Sequence, residues 1–132
     1  MANTTPLFAN TPLIGHASPS ATADAEYGST NAPAHAVLLA TAGANGSKFE
    51  QIECVGTGVT VAGNLIVFMY DGTTYWPIDN FLVTVITPST TVAPFSQVHT
   101  FPNLVVPSGS SLYITSAVAS QLVAVNAYGG SY

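Results

Sequence analysis

The sequence predicts an all-β fold, an antiparallel β-sandwich of jelly-roll type preceded by an extended N-terminal arm. About eight short runs of β-favouring residues are separated by clusters of Gly, Pro, Ser and Asn, and no stretch shows a helical period. Short strands with this spacing and no helices are typical of sandwiches and jelly rolls. The strongest local signal is a long predicted hairpin over residues 64–88.

The first strand of this hairpin is unusual. In residues 65–70, LIVFMY, both alternating sets of side chains are apolar, whereas a strand with one wet face alternates apolar with polar residues. We therefore expect one face in the sandwich core and the other under a covering segment or a second subunit. Asp71 and Gly72 follow as the turn, because this dipeptide tolerates positive φ angles.

Two strands are predicted before the hairpin. Residues 36–41 form the first, and the glycine-rich cluster at 42–46 is a turn. In the second, residues 48–55, Ile52 and Cys54 share one face while polar side chains share the other. This alternation predicts a half-buried strand in which Cys54 is a buried structural thiol.

The other predicted strands follow in chain order and are residues 59–62, 74–76, 81–87, 92–98, 99–106, 112–115 and 122–128. Pro77 and Pro102 weaken the runs in which they occur, because proline cannot donate to a ladder. The last two runs are predicted to pair as a hairpin, with Val123, Val125 and Ala127 facing the core. Their outward face is small and uncharged, which favours packing against another protein surface over open water.

The predicted arm comprises residues 1–34, and the β-sandwich domain comprises residues 35–132. The arm is rich in Ala, Thr, Pro, Ser and Asn and shows neither a strand nor a helix period. Its apolar pairs are candidate partner-binding anchors, and they are Leu7, Phe8, Leu13 and Ile14. Two interpretations stay open: a disordered leader, or an extended arm that lies on a neighbouring subunit.

The low content of charged residues limits the classes of partner that the protein can bind. At 132 residues the chain suits a single domain, and only 5% of its residues are charged, against about a quarter in an ordinary soluble domain. Lys48 is the single basic residue beside six scattered carboxylates, which argues against a nucleic-acid partner because nothing neutralises phosphates. The sequence shows neither a secretory signal nor a membrane span, so we expect synthesis in a cytoplasm and no membrane partner.

No catalytic, metal or cofactor site is predicted. His16, His35 and His99 are far apart, and none has a ligand-forming neighbour at metal-binding spacing. Glu50 and Glu53 are three residues apart on one predicted strand, so they face opposite sides and cannot converge on one bond. The expectation is a protein that is not an enzyme.

An aromatic group near the hairpin turn has two interpretations. Tyr70, Tyr75 and Trp76 are candidates for a platform on which a sugar ring stacks. They are also typical of cross-strand pairs or of a contact between subunits, where Tyr and Trp are favoured. The second interpretation is the preferred one.

Residues 37–132 resemble small structural proteins of tailed bacteriophages. The resemblance rests on five segments, TAGANGSKFEQI (41–52), VGTGVTVAGNLIVFMYDGTTY (55–75), ITPS (86–89), LVVPSGSSLYITS (104–116) and VAVNAYGGSY (123–132). These segments combine a glycine-rich turn, a strand ending in Asp-Gly, a further hairpin and a terminal aromatic-Gly-Gly stretch. The chain departs from such proteins in charge, since they often carry several Arg and Lys on their strands.

The resemblance implies a jelly-roll-like sandwich that acts as a capsid decoration or cement protein. Such a protein binds the major capsid protein on the outer surface of the phage head, commonly as a homotrimer, and is made in the host cytoplasm. With so few charges here, apolar and hydrogen-bonded docking is favoured over electrostatic docking. The alternatives are a carbohydrate-binding or receptor-contact module of the virion, and a tail or baseplate component.

Overall fold

The computed structural model of the protein describes residues 11–24 and 33–132, and this part of the chain contains eight β-strands. They are β1 (Thr11–Ala17), β2 (Val37–Thr41), β3 (Ser47–Gly56), β4 (Gly63–Tyr70), β5 (Tyr75–Val83), β6 (Ser96–Val106), β7 (Ser111–Ser116) and β8 (Val123–Ser131). Over the same residues, no helix is long and apolar enough to cross a membrane.

The strands form two antiparallel sheets of four strands each. One sheet has the order β1-β8-β3-β6 and the other has the order β2-β7-β4-β5. The core between them is made of apolar side chains, of which the largest fully buried ones are Phe49, Phe81, Ile52, Leu65, Leu112 and Ile114. The predicted all-β sandwich is therefore confirmed.

The strands pair in a nested order. β1 pairs with β8, β2 with β7, β3 with β6, and β4 with β5. Among the described strands, only β4 and β5 are both consecutive and paired, so the predicted hairpin at residues 64–88 is present. The predicted hairpin between the last two strands is wrong, because β7 and β8 belong to different sheets and residues 117–122 cross from one sheet to the other.

Strand β4 is buried on both faces within this one chain. Leu65 and Val67 lie in the core between the sheets and are fully buried. Ile66 and Phe68 point to the opposite face of the sheet, yet each is only 2% exposed. The two-sided apolar pattern of residues 65–70 therefore needs no second subunit to explain it, because the chain covers both faces itself.

The sandwich begins earlier in the chain than the sequence indicates. Residues 11–17, assigned to the arm by their composition, form β1 and pair with β8 along its whole length. Leu13 packs against the core, so it is an internal contact, whereas Ile14 is exposed. Leu7 and Phe8 lie outside the described residues. The boundary between arm and sandwich therefore moves from residue 34 to the start of β1.

Two other predicted boundaries differ from the structure. β5 runs through Pro77 without a break, which an edge strand permits, and its register against β4 shifts between Val67 and Phe68. The run predicted at 59–62 is loop, and so are the last four residues of the run predicted at 81–87. They resemble strands in the sequence because valine, isoleucine and threonine alternate there, but their backbones hydrogen-bond to other loops.

At two positions in the first sheet, Gly129 on β8 and Gly15 on β1, neighbouring backbone lies so close that only glycine fits. A Cβ on Gly129 would overlap the carbonyl oxygen of Lys48 and lie 2.7 Å from the Cα of Phe49, where β3 bulges against β8. A Cβ on Gly15 would overlap the carbonyl oxygen of Leu39, where β1 approaches β2. Both sites need the absence of a side chain because rigid backbone stands in the way.

We expect Gly129→Ala to lower the free energy of unfolding by about 1–3 kcal/mol, the usual cost of forcing extra atoms into a packed site. Gly58→Ala is the matched control, since its Cβ would meet only the Cδ1 of the exposed Leu122 at 2.9 Å, and that side chain can move away. Urea unfolding of both variants measures the difference. Equal effects of the two substitutions would contradict the close approach of β8 to β3.

Candidate functional site

The three histidines, His16, His35 and His99, each have a different hydrogen-bonding partner. Nδ1 of His16 donates to Asn126 Oδ1 at 2.6 Å, Nδ1 of His35 lies 3.0 Å from Asp24, and Nδ1 of His99 lies 2.7 Å from Asp79. Within residues 11–24 and 33–132, no three His, Cys, Asp or Glu side chains are grouped so that they could hold a metal ion. The described histidines therefore act as hydrogen-bonding partners between strands and connections.

The pair of His99 and Asp79 closes one open side of the sandwich. His99 lies on β6 of the first sheet and Asp79 on β5 of the second, so their contact links the two sheet edges. The imidazole ring also stacks on Phe81, with ring centres 4.1 Å apart. This arrangement is structural: it joins β6 and β5, which are outermost in the two sheets of the described strands.

Asp24 holds the connection between β1 and β2 onto the second sheet. Its carboxylate is buried and accepts hydrogen bonds from the hydroxyl of Thr115 at 2.6 Å and from the backbone N–H of His35 at 3.1 Å. Its own N–H donates to the carbonyl of Ser116. Burial by itself would raise the pKa of Asp24, but the hydrogen bonds from Thr115 and His35 outweigh it, and the pKa is lowered.

A hydrogen-bonded row crosses the outer face of the first sheet. Glu53 Oε1 accepts from Asn126 Nδ2 at 3.0 Å and from the hydroxyl of Tyr128 at 2.7 Å, and Asn126 also binds His16. The hydrogen bond to Glu53, together with burial and the negative charge, raises the pKa of Tyr128. The outward face of β8 is therefore more polar than its own small residues suggest, because Glu53 lies beside it on β3.

The three aromatic residues singled out in the sequence do not form one platform. Tyr70 and Tyr75 stack with ring centres 4.3 Å apart, and Tyr113 meets both rings edge-on. Burial, with Tyr113 and Tyr70 nearby, raises the pKa of Tyr75. Trp76 pairs with Met69 and so points to the opposite face of the sheet. The prediction from the sequence did not include Tyr113, which lies on β7 and contacts the rings of Tyr70 and Tyr75.

The turn beside this cluster is fixed by Asp71. Its Oδ1 accepts from the backbone N–H and hydroxyl of Thr73 and from the N–H of Thr74, while Oδ2 accepts from the indole N–H of Trp76 at 3.0 Å. These hydrogen bonds, that of Trp76 foremost, hold the pKa of Asp71 well below its usual range. Gly72 has a φ of +101°, as the Asp-Gly turn predicts. The exposed indole of Trp76 is thereby held in one position.

Three loops form a face at one end of the sandwich, which we call the loop face. It consists of residues 57–62, 84–95 and 117–122, which connect β3 to β4, β5 to β6 and β7 to β8. These loops contain no ionisable side chain. Exposed large apolar side chains are concentrated there instead, namely Val59, Val61, Val85, Val92 and Leu122.

Hydrogen bonds between the loops hold the loop face in shape. The side-chain amide of Gln121 pairs with both the N–H and the carbonyl of Val61, at 2.9 and 2.6 Å. The hydroxyl of Thr60 donates to the carbonyl of Thr84 at 2.6 Å and accepts from the N–H of Ile86 at 3.0 Å. The loop at 57–62 is therefore tied to its neighbour on each side, and the exposed valines sit on a fixed frame.

We expect Asp24→Asn to lower the free energy of unfolding by about 1–3 kcal/mol at pH 7, the range for a buried hydrogen bond to a charged group. Because the folded pKa of Asp24 is lowered, its carboxylate stabilises the fold above pH 3.8, and this contribution is lost as the pH falls further. The difference in the free energy of unfolding between wild type and Asp24→Asn should therefore become smaller below pH 3.8. Urea unfolding between pH 7 and acid conditions measures this difference.

Glu50→Gln is the control for this comparison, because Glu50 is an exposed carboxylate on a sheet surface. We expect it to leave the free energy of unfolding within about 0.5 kcal/mol of wild type. If the difference in the free energy of unfolding between wild type and Asp24→Asn stays constant from neutral to acid pH, the charged carboxylate of Asp24 is not what stabilises the fold.

Cys54 is buried in the core, as the alternation of β3 predicts, and burial raises its pKa to about 12. We expect the folded protein at pH 8 to react negligibly with an aromatic disulfide reagent, because reaction requires an exposed thiolate. The same chain in denaturant should react with one equivalent. Rapid reaction of the folded protein, without unfolding, would contradict the burial of this thiol.

Comparisons with known proteins identify no relative of this chain. No family model, no curated protein and no solved structure matches it. Its function is therefore argued from its own fold, charges and surfaces.

Proposed function

We propose that this chain is a structural virion protein, a decoration or cement protein that binds the major capsid protein on the outer surface of a bacteriophage head and stabilises it. The observation that carries the proposal is the nested pairing of the eight strands. We infer that this pairing, β1 with β8 inward to β4 with β5, is a jelly roll. Jelly rolls occur among viral capsid proteins, and the sequence resemblance over residues 37–132 points the same way.

The surface chemistry supports a role in an assembly. Interspersed charges keep a free protein surface soluble, and this chain has one lysine and six carboxylates in 132 residues. Four of those carboxylates, Asp24, Glu53, Asp71 and Asp79, are engaged in hydrogen bonds within the fold. Docking through such a surface depends on apolar contacts and hydrogen bonds, so attachment to the head should depend weakly on salt.

Binding alone is sufficient for this function. A protein that binds the assembled lattice and not its dissociated subunits stabilises the lattice by mass action, in proportion to its concentration over its dissociation constant. A copy that spans two neighbouring capsid subunits also resists their separation. The bound protein thus opposes the outward strain on the shell of a filled head, and no chemical step is required.

Residues 1–10 are the proposed arm. β1 occupies the rest of the segment to which the sequence assigned anchors, and this leaves Leu7 and Phe8 as the apolar pair available to a neighbour. In the proposed virion, copies form a homotrimer, as the resemblance implies, and each arm binds an adjacent copy or the capsid shell.

The glycan-binding alternative is less well supported. A platform for a sugar requires ring faces that are free and lie together, whereas Tyr70 and Tyr75 cover one face of each other and Trp76 points to the opposite side of the sheet. A tail or baseplate component shares the same fold and composition. Electron microscopy of particles labelled through this chain separates it from a head protein by the position of the label.

We expect particles that carry a chain lacking residues 1–10 to lose it at a lower temperature than particles that carry the full chain, because the Leu7 and Phe8 contacts are gone. Truncation must stop before Thr11, since a longer deletion removes β1 and uncovers the core beside Leu13. Sedimentation of heated particles, followed by measurement of the bound chain, gives the release temperature.

The control for truncation is a chain with serine at both positions 7 and 8. It keeps the length and removes the apolar pair, so it should be released as early as the truncated chain. The unfolding temperatures of all three purified proteins should agree, because the sandwich is intact. Unchanged release from the particles would remove the arm from the proposal, and absence of binding to heads would overturn the function itself.

A further inference from the structure

An apolar groove opens on the side of the sandwich where the edge strands β5 and β6 face each other. It has a volume of about 250 Å³ and is lined by Ile78, Phe101, Pro102, Asn103 and Leu104. None of these residues is ionisable. Because pockets for small molecules usually measure about 300–1,000 Å³, the groove fits one or two apolar side chains of a protein segment better than a small ligand.

Two bulges that face each other build this groove. On β6, residues 101–103 stand opposite the single residue Glu50 of β3. On β5, Ile78 is an extra residue in the register against β4. Bulges at sheet edges re-aim side chains and interrupt pairing, and Pro102 removes a backbone donor from the edge. The groove therefore suits a partner that inserts side chains, and it does not suit an added strand.

Trp76 provides a fixed aromatic surface along β5, two residues before Ile78. Its side chain is 56% exposed, and its indole N–H donates to Asp71 at 3.0 Å. Its register partner Met69 packs against the core, so the indole lies at the edge of the second sheet on the side that faces the first. Tryptophan beside an apolar groove is typical of a binding hot spot, and a ring already held in place loses little freedom on binding.

We propose that this groove binds Leu7 and Phe8 of a neighbouring copy of the chain. Neighbouring copies follow from the proposed function, on which the proposal rests, and the groove is the surface that receives their arms. The chemistry of the arm, its reach and the symmetry of the contact all favour this occupant.

The arm matches the groove in chemistry. Residues 1–10, MANTTPLFAN, contain no ionisable side chain, and Leu7 and Phe8 are adjacent large apolar residues. Their insertion removes apolar area from water on both partners, which is favourable. No charged group of the arm has to be paired or desolvated, so the contact should be insensitive to salt.

The reach of the arm directs it to another copy. One register row crosses the first sheet and joins Thr11, Ser131, Ser47 and Val106. Three strand spacings of about 4.8 Å place Val106 about 14 Å from Thr11, and Pro102 lies about 13 Å further along β6. Three extended residues carry Phe8 at most about 11 Å from Thr11. Phe8 therefore stops short of the groove in its own chain.

The arm and the groove also lie on opposite sides of the sandwich. β1 and β2 are outermost on one side, together with the connection between them that carries Asp24 and His35, and β5 and β6 are outermost on the other. Each copy can therefore give an arm to one neighbour and receive an arm from another. Head-to-tail contacts of this kind generate closed rings, and a ring of three is the homotrimer of the proposed function.

The test is disulfide trapping with oxidised glutathione, in the purified full chain and on decorated particles. The trapping pair is Ala9→Cys, beside the apolar pair of the arm, and Asn103→Cys, at an exposed position of the groove. The native Cys54 is buried, so the introduced thiols are the ones that react.

Two controls accompany the trapping pair. The first combines Ale9 replacement with Thr100→Cys, which is exposed on the outer face of the same strand. The second keeps the trapping pair and adds Leu7→Ser and Phe8→Ser, so that the thiols remain while the apolar anchors are removed.

We expect the trapping pair to form covalent dimers and trimers on a non-reducing gel, about 30-fold faster than either control. Monomers closed by an internal disulfide would overturn the proposal, and so would equal linking in the trapping pair and a control. Absence of linking both in the purified chain and on particles would overturn it as well. Loss of head binding with trapping intact would overturn the proposed function alone.

Discussion

The burial of β4 on both faces is the constraint on which the rest of the structure depends. Its inner side chains need the first sheet, and its outer side chains, Ile66 and Phe68, need a separate cover. Part of that cover is visible in the rings of Tyr75 and Tyr113. Another part is the anchoring of Asp24 on Thr115, which is the register partner of Ile66 on β7.

The scarcity of charge has a second consequence. Three of the hydrogen-bonded carboxylates join segments that are distant in the sequence: Asp24 joins the β1–β2 connection to β7, Asp79 joins β5 to β6, and Glu53 joins β3 to β8. Few charges are then left for the surface, and the loop face has none. In a protein built in this way, polar groups are satisfied within the fold and the loop face is neutral. Such surfaces suit permanent assembly better than reversible electrostatic encounter.

Local pattern predicted most strands, but it could not predict their partners. Ile52, Cys54 and Val125 face the core as their alternation indicates, and the Asp71-Gly72 turn is where the dipeptide places it. The local pattern did not predict β1, because its sequence TPLIGHA contains proline and glycine and does not alternate. Its conformation is determined by pairing with β8. The short segment between β7 and β8 looks like a hairpin loop although it crosses between sheets. Asp24 and Thr115 are separated by 91 residues, so no local signal connects them.

The central claim is that one chain buries both faces of β4 without a second copy. Hydrogen–deuterium exchange of the full chain at low and high protein concentration tests it most directly. The account predicts that peptides from β4 exchange equally slowly at both concentrations, because a single chain already buries both faces of this strand. Protection of β4 that rises with protein concentration would contradict it.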